Sequence, residues 1–147
     1  MIYKTIISAD ELRKNIDNKD FIIFDSRCDI KDQGYGIDSY AEGHIPNSIF
    51  VDIDNDLASE KQPGTGRHPL PNVDMFCEKL SHWGMSNNKQ VVIYDDAGGA
   101  FAGRMWWMMK WLGHDLVAVL DGGVNSWVKE GNKLVTSPTI FEKSYFE

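Results

Sequence analysis

Three times along this chain an unbroken run of apolar residues ends on an aspartate. The runs are Phe21-Ile22-Ile23-Phe24-Asp25, Val91-Val92-Ile93-Tyr94-Asp95 and Leu116-Val117-Ala118-Val119-Leu120-Asp121. A strand with one wet face alternates apolar and polar residues, whereas a continuous run rich in β-branched and aromatic side chains describes a strand buried on both faces. Helical patterns fall around these runs. Ser8-Ala9-Asp10-Glu11 has the spacing of a capping box and opens a short helix through about Asn15. Pro71-Asn72 begins a second helix reaching about Trp83, Ala100 to Leu112 forms a third, and Val124 to Glu130 a fourth. They stop at Gly84, Gly113 and Gly131, respectively. Buried strands alternating with helices predict an α/β domain of three layers, a central parallel sheet of about five strands with helices on both faces. Ligands of such sheets gather at the carboxyl ends of the strands, here marked by Asp25, Asp95 and Asp121.

A length of 147 residues suits one domain with a real core. The 15 basic against 22 acidic side chains leave a net charge of −7, which argues against nucleic acid as a partner, because phosphate binding needs a basic face. No apolar run approaches the ~20 residues of a membrane helix, and Met1-Ile2-Tyr3-Lys4 opens no signal-like segment. A cytoplasmic protein without a membrane partner is therefore expected. Neither Cys28 nor Cys77 has a second Cys or a His at metal spacing, so no metal or other cofactor is expected. Cys77 sits in an apolar stretch and reads as a small core residue, while Cys28 follows the first buried run. Residues 29–43 and 52–71 are rich in Gly, Asp and Pro, lack periodicity and read as long loops of the kind that carries function. The domain is placed at 1–136. Residues 137–147 read as the start of a linker inside a longer protein.

The order of motifs is more specific than any one of them. Phe24-Asp25-Ser26-Arg27 is followed by Tyr40-Ala41-Glu42-Gly43-His44-Ile45-Pro46-Asn47-Ser48, His68-Pro69-Leu70-Pro71, Tyr94-Asp95, Arg104-Met105-Trp106-Trp107, Leu112-Gly113-His114 and Leu120-Asp121-Gly122-Gly123-Val124-Asn125-Ser126-Trp127. This series resembles the N-terminal, non-catalytic rhodanese domain of tandem-domain thiosulfate and 3-mercaptopyruvate sulfurtransferases. The resemblance implies a rhodanese-like fold and a parent transferase. That enzyme would move sulfane sulfur from a small sulfur-donor molecule to a thiol or cyanide, through a cysteine persulfide in a second rhodanese domain of the same parent chain.

In the family the persulfide cysteine directly follows a central strand. Asp95 holds the matching position here, and a carboxylate forms no persulfide, so this chain by itself is expected to be inactive and to contribute no catalytic residue. The loop Asp95-Asp96-Ala97-Gly98-Gly99, between a buried strand and a helix, aims backbone donors at an anion-sized space. Two readings stand: Asp95 fills that space with its own carboxylate, or it caps an ordinary strand-to-helix turn. An aspartyl-phosphate reading of Asp95-Asp96 would want a second carboxylate two residues on, where Ala97 stands.

His68 matches a histidine that, in the resemblance, reaches the substrate from the interdomain side; the other reading is a surface or helix-entry histidine. On the helix from Ala100, residues Phe101, Met105, Met108, Met109 and Leu112 share a core stripe. Trp107 and Trp111 lie off it, near Arg104. They read either as a surface toward a partner domain or as packing beneath loop 52–71, and Arg104 either stacks on the indoles or pairs with a carboxylate. His44 is expected to satisfy backbone carbonyls rather than to form a dyad with Asp25. The motif's usual acidic residue before Tyr40 is replaced by Ser39, which leaves Glu42 as the candidate partner of Arg27. The alternative to a half-enzyme is a stand-alone, inactive rhodanese module that binds a partner or an anion.

Overall fold

The computed structural model describes residues 2–60, 63, 64, 66 and 68–147, so Met1 and four positions of the expected loop 52–71 lie outside the described residues. Five parallel strands form one sheet: β1 (Ile6–Ile7), β2 (Phe21–Asp25), β3 (Ser48–Phe50), β4 (Gln90–Tyr94) and β5 (Val117–Leu120). Their order is β1-β5-β4-β2-β3. Among the described residues five helices surround them: α1 (Ala9–Lys14), α2 (Tyr35–Glu42), α3 (Val73–His82), α4 (Ala102–Trp111) and α5 (Gly123–Lys129).

The apolar runs form strands wet on neither face because successive side chains feed two separate cores. Ile22, Phe24, Val91 and Ile93 point into one, with Phe76 and Leu80 of α3 and Met105, Met108 and Met109 of α4. Ile23, Val92, Tyr94, Ala118 and Leu120 point into the other, with Leu12 of α1 and Val124 and Trp127 of α5. The strand period of two thus divides each run between opposite helix layers. Ser8 Oγ accepts the Glu11 N–H and Asn72 Oδ1 the Met75 N–H, which fixes the starts of α1 and α3.

One expectation changes. Residues 29–43 are not all loop, since 35–42 form α2. Its sequence Tyr-Gly-Ile-Asp-Ser-Tyr-Ala-Glu is poor in strong helix formers, and tertiary contact overrides propensity. A Cβ on Gly36 would stand 2.1 Å from the Arg27 carbonyl oxygen, so only glycine lets the helix settle so close. Residues 137–147 contain neither helix nor strand, yet they lie against the domain. His44 Nε2 meets the Ser137 carbonyl at 2.9 Å, Ser144 N–H donates to the Ser81 carbonyl at 2.8 Å, and Phe146 is buried beside His114.

The chain leaves β2 toward β3 on one side and, through α4, leaves β4 toward β5 on the other. The sheet therefore changes winding direction between β2 and β4. Their carboxyl ends flank a natural crevice.

Candidate functional site

At the end of β2, Asp25 is fully buried and wholly engaged. Arg27 donates to it through its backbone N–H, Nε and Nη2, the last at 2.6 Å, and Tyr94 Oη donates at 2.9 Å. Arg27 Nη2 also reaches the Gly43 carbonyl at 2.7 Å. The expected pairing with Glu42 is thus replaced by Asp25, two residues upstream, which closes on the guanidinium inside the same turn. Burial opposes the charge on Arg27, but the Asp25 carboxylate outweighs it and keeps the guanidinium above its ordinary pKa. Burial pushes the Tyr94 phenol well above its ordinary value, with the Asp25 charge adding to it. His44 is buried with Nδ1 at 2.8 Å from the Tyr40 carbonyl and Nε2 on the Ser137 carbonyl, stacked on the Tyr40 ring. It satisfies carbonyls, as expected, and Asp25 is turned to other partners.

At the end of β4, the Asp95 carboxylate occupies the anion-sized space itself. Oδ1 accepts the N–H groups of Ala97 and Gly99 at 3.0 Å each, and Oδ2 those of Phe101 and Ala102 at 2.9 Å each. These are the donors that a strand-to-helix turn turns toward an anion. The arrangement exceeds an ordinary cap, since one side chain takes four donors and is 2% exposed. Val124 N–H donates to the Asp95 carbonyl, and a Cβ on Gly123 would stand 2.2 Å from that oxygen, which locks the start of α5 to the same loop. The neighbouring Asp96 points outward, and the Tyr35 hydroxyl of α2 donates to its Oδ2. That bond raises the Tyr35 phenol above its ordinary pKa.

His68 lies at the same end of the sheet. Its Nε2 is 2.7 Å from Asp54 Oδ1. A carboxylate only accepts, so Nε2 carries the proton and Nδ1 is the ring nitrogen left for another partner. The two side chains share a cavity of about 420 Å³, which Cys28, Gln33, Asn55 and Ser59 also line. Sequence reasoning missed Asp54. Its signal was the spacing Asp52-x-Asp54-x-Asp56 within the same long loop as His68, which reads as a self-bonded turn. The turn forms, with Asp52 Oδ1 accepting the N–H groups of Asp54 and Asn55. Ser59 N–H then bonds the Pro69 carbonyl and brings the two ends of the loop together.

Trp107 and Trp111 are 49% and 40% exposed, which removes the reading that buries them beneath loop 52–71. Their rings stack 6.0 Å apart at 11° on the outer face of α4. Arg104 Nη2 donates to the Leu57 carbonyl at 2.7 Å, and its Nε is buried without a hydrogen-bond partner among the described residues. Burial lowers its pKa. The carbonyl wins because the guanidinium emerges from α4 directly against the turn at residues 52–57. Cys28 and Cys77 are half-buried, and neither is in a disulfide. Among the described residues no group of three or more His, Cys, Asp or Glu side chains is placed to hold a metal ion, and no helix is long and apolar enough to cross a membrane.

The geometry can be set beside known proteins. The family model for the rhodanese-like domain matches residues 8–130. A probable 3-mercaptopyruvate sulfurtransferase of Pseudomonas aeruginosa is 38% identical over 144 residues, 97% of this chain and 51% of that protein. Thiosulfate/3-mercaptopyruvate sulfurtransferase 2 of Arabidopsis thaliana is 36% identical over 133 residues, 90% of this chain and 38% of the relative. Among solved structures, the 3-mercaptopyruvate sulfurtransferase SseA of Escherichia coli superposes with a TM-score of 0.85 at 27% identity, covering 99% of this chain and 56% of its own. The chain spans about half the length, or less, of the curated relatives it matches.

Proposed function

Since this chain belongs to the rhodanese-like domain family, we propose that it is the non-catalytic half of a sulfurtransferase and supplies one wall of a site completed by a second rhodanese domain. The observation that carries this reading is the Asp95 carboxylate held by four backbone N–H groups. A loop of this shape is suited to steadying a thiolate or a bound anion. Here an internal carboxylate takes all four donors and brings a negative charge that repels an incoming anion.

In the proposed reaction, the thiolate of a cysteine in the second domain attacks the sulfane sulfur of thiosulfate or the thiol sulfur of 3-mercaptopyruvate. Sulfite or the enolate of pyruvate leaves with the bonding electrons, the enolate then taking up a proton, and the resulting persulfide passes its outer sulfur to a thiol or cyanide. This half contributes His68, which lines the cavity while Asp54 holds its Nε2–H. An unprotonated ring nitrogen of this kind can take the thiol proton of 3-mercaptopyruvate. The Trp107/Trp111 face of α4 is the proposed seat of the second domain, because exposed aromatic pairs mark contact surfaces.

Sulfurtransferase activity tests this reading, measured with thiosulfate and cyanide and with 3-mercaptopyruvate. The 147-residue chain alone should show no turnover, whereas a chimera in which it replaces the matched half of its Pseudomonas relative should be active. In that chimera His68→Gln should lower kcat/KM by about 10²-fold, the scale of a lost proton-transfer group. Robust turnover by the chain alone, abolished by Cys28→Ser, would overturn the proposal.

A further inference from the structure

An ion pair between side chains on a surface loop is a weak fastener, because water and side-chain entropy compete with it. Asp54 is half exposed and His68 follows a long loop, yet the pair closes at 2.7 Å. Two cations from different helices flank it from behind. Lys79 Nζ of α3 donates to the Asn55 carbonyl at 2.7 Å and to Asp56 Oδ1 at 3.0 Å. Arg104 Nη2 of α4 donates to the Leu57 carbonyl at 2.7 Å. We infer that Lys79 and Arg104 are positioning residues for the proposed site: they clamp the carbonyls on the C-terminal side of Asp54 and so fix the carboxylate that orients His68.

Three observations favour a clamp over incidental surface contacts. The contacts fall at residues 55, 56 and 57, immediately after Asp54, while Asp52 holds the turn from its other side through Oδ1 and through Asp52 N–H to Asp56 Oδ2. The carboxylate is therefore pinned from both directions. Leu57 is fully buried, so the Arg104 bond joins the turn to the core rather than to a mobile surface. Arg104 also leaves its Nε buried with no hydrogen-bond partner among the described residues, a cost that a methionine of similar reach would not carry. Such costs are kept where they hold a site in one geometry.

The inference rests on the proposed role of His68, but its test does not need sulfur chemistry. In the 147-residue chain labelled with ¹⁵N-histidine, correlation spectra report which ring nitrogen of His68 bears the proton, with His68→Gln giving the assignment. The neutral ring should be held as the Nε2–H form. Asp54→Asn, Lys79→Met and Arg104→Met should each draw the two ring-nitrogen shifts together, and Lys79→Arg and Arg104→Lys should keep them apart. Lys79 has a partly exposed side chain, so Lys79→Met carries the test even if Arg104→Met fails to fold. An unchanged His68 pattern in folded Lys79→Met overturns the clamp. Loss of the pattern in the conservative variants, as complete as in the methionine variants, overturns it too. In the active chimera, Lys79→Met should lower kcat/KM about tenfold to a hundredfold, and it should add nothing in an Asp54→Asn background. A chimera indifferent to His68→Gln would refute the functional reading while leaving the clamp standing on the spectra.

Discussion

At the scale of single residues, two aspartates at neighbouring strand ends have opposite tasks. Asp25 neutralises a buried guanidinium, and Asp95 saturates a backbone loop. Asp95→Asn separates charge from shape. An amide keeps the size but offers one oxygen, and its NH₂ must face two N–H donors, leaving those donors unsatisfied. The substitution should destabilise the chain by about 1–3 kcal/mol, read as a lower urea midpoint at an unchanged slope. A midpoint equal to that of the parent would show that the loop holds its shape without the charge. The importance of Asp95 was legible in the sequence because its position follows from the strand that precedes it. The partner of Arg27 was not, since a short-range choice between Asp25 and Glu42 depends on where the guanidinium lies relative to the Gly43 carbonyl. Asp54 was hidden for a similar reason: an Asx turn becomes visible as a site only when the returning chain delivers His68 to it.

At the scale of elements, patterns with a strong period were read with little error. The core stripe of α4 is buried at Met105, Met108 and Met109, and the two indoles off the stripe are exposed. The two-residue β1 and the short α2, poor in strong helix formers, have too little pattern to be recognised, because each is held by neighbours rather than by propensity. The junction between β5 and α5 gives a sharp test of how tightly elements are locked. Gly123 has φ of 60° and approaches the Asp95 carbonyl, so Gly123→Ala adds both backbone strain and a steric clash. A loss of about 2 kcal/mol or more is expected, with the Val124 amide among those whose hydrogen exchange quickens most. A stability within experimental error of the parent would mean that α5 can shift away without cost.

At the scale of the molecule, the five-stranded parallel sheet followed directly from three apolar runs and the helices between them, whereas the path of the last residues did not. Residues 137–147 have a linker's composition, yet they cross from His44 to Ser81 and Asn87 and insert Phe146, 4% exposed, into the core of the α3/α4 layer. Burial of a single aromatic late in an aperiodic segment leaves no periodic signal. Ending the chain at residue 136 should therefore cost about 3–5 kcal/mol, the range for deleting a buried aromatic. Phe146→Ala in the intact chain should account for most of that loss in thermal unfolding. If the two variants unfold with the parent, the segment is a passive covering. The Trp107 and Trp111 rings, parallel and in the open, have one further consequence. Two indole chromophores held at this spacing exchange excitation, so the helix carries its own optical signature in near-ultraviolet circular dichroism. Whatever settles on that face, or slides off it, changes that ellipticity without any label being attached.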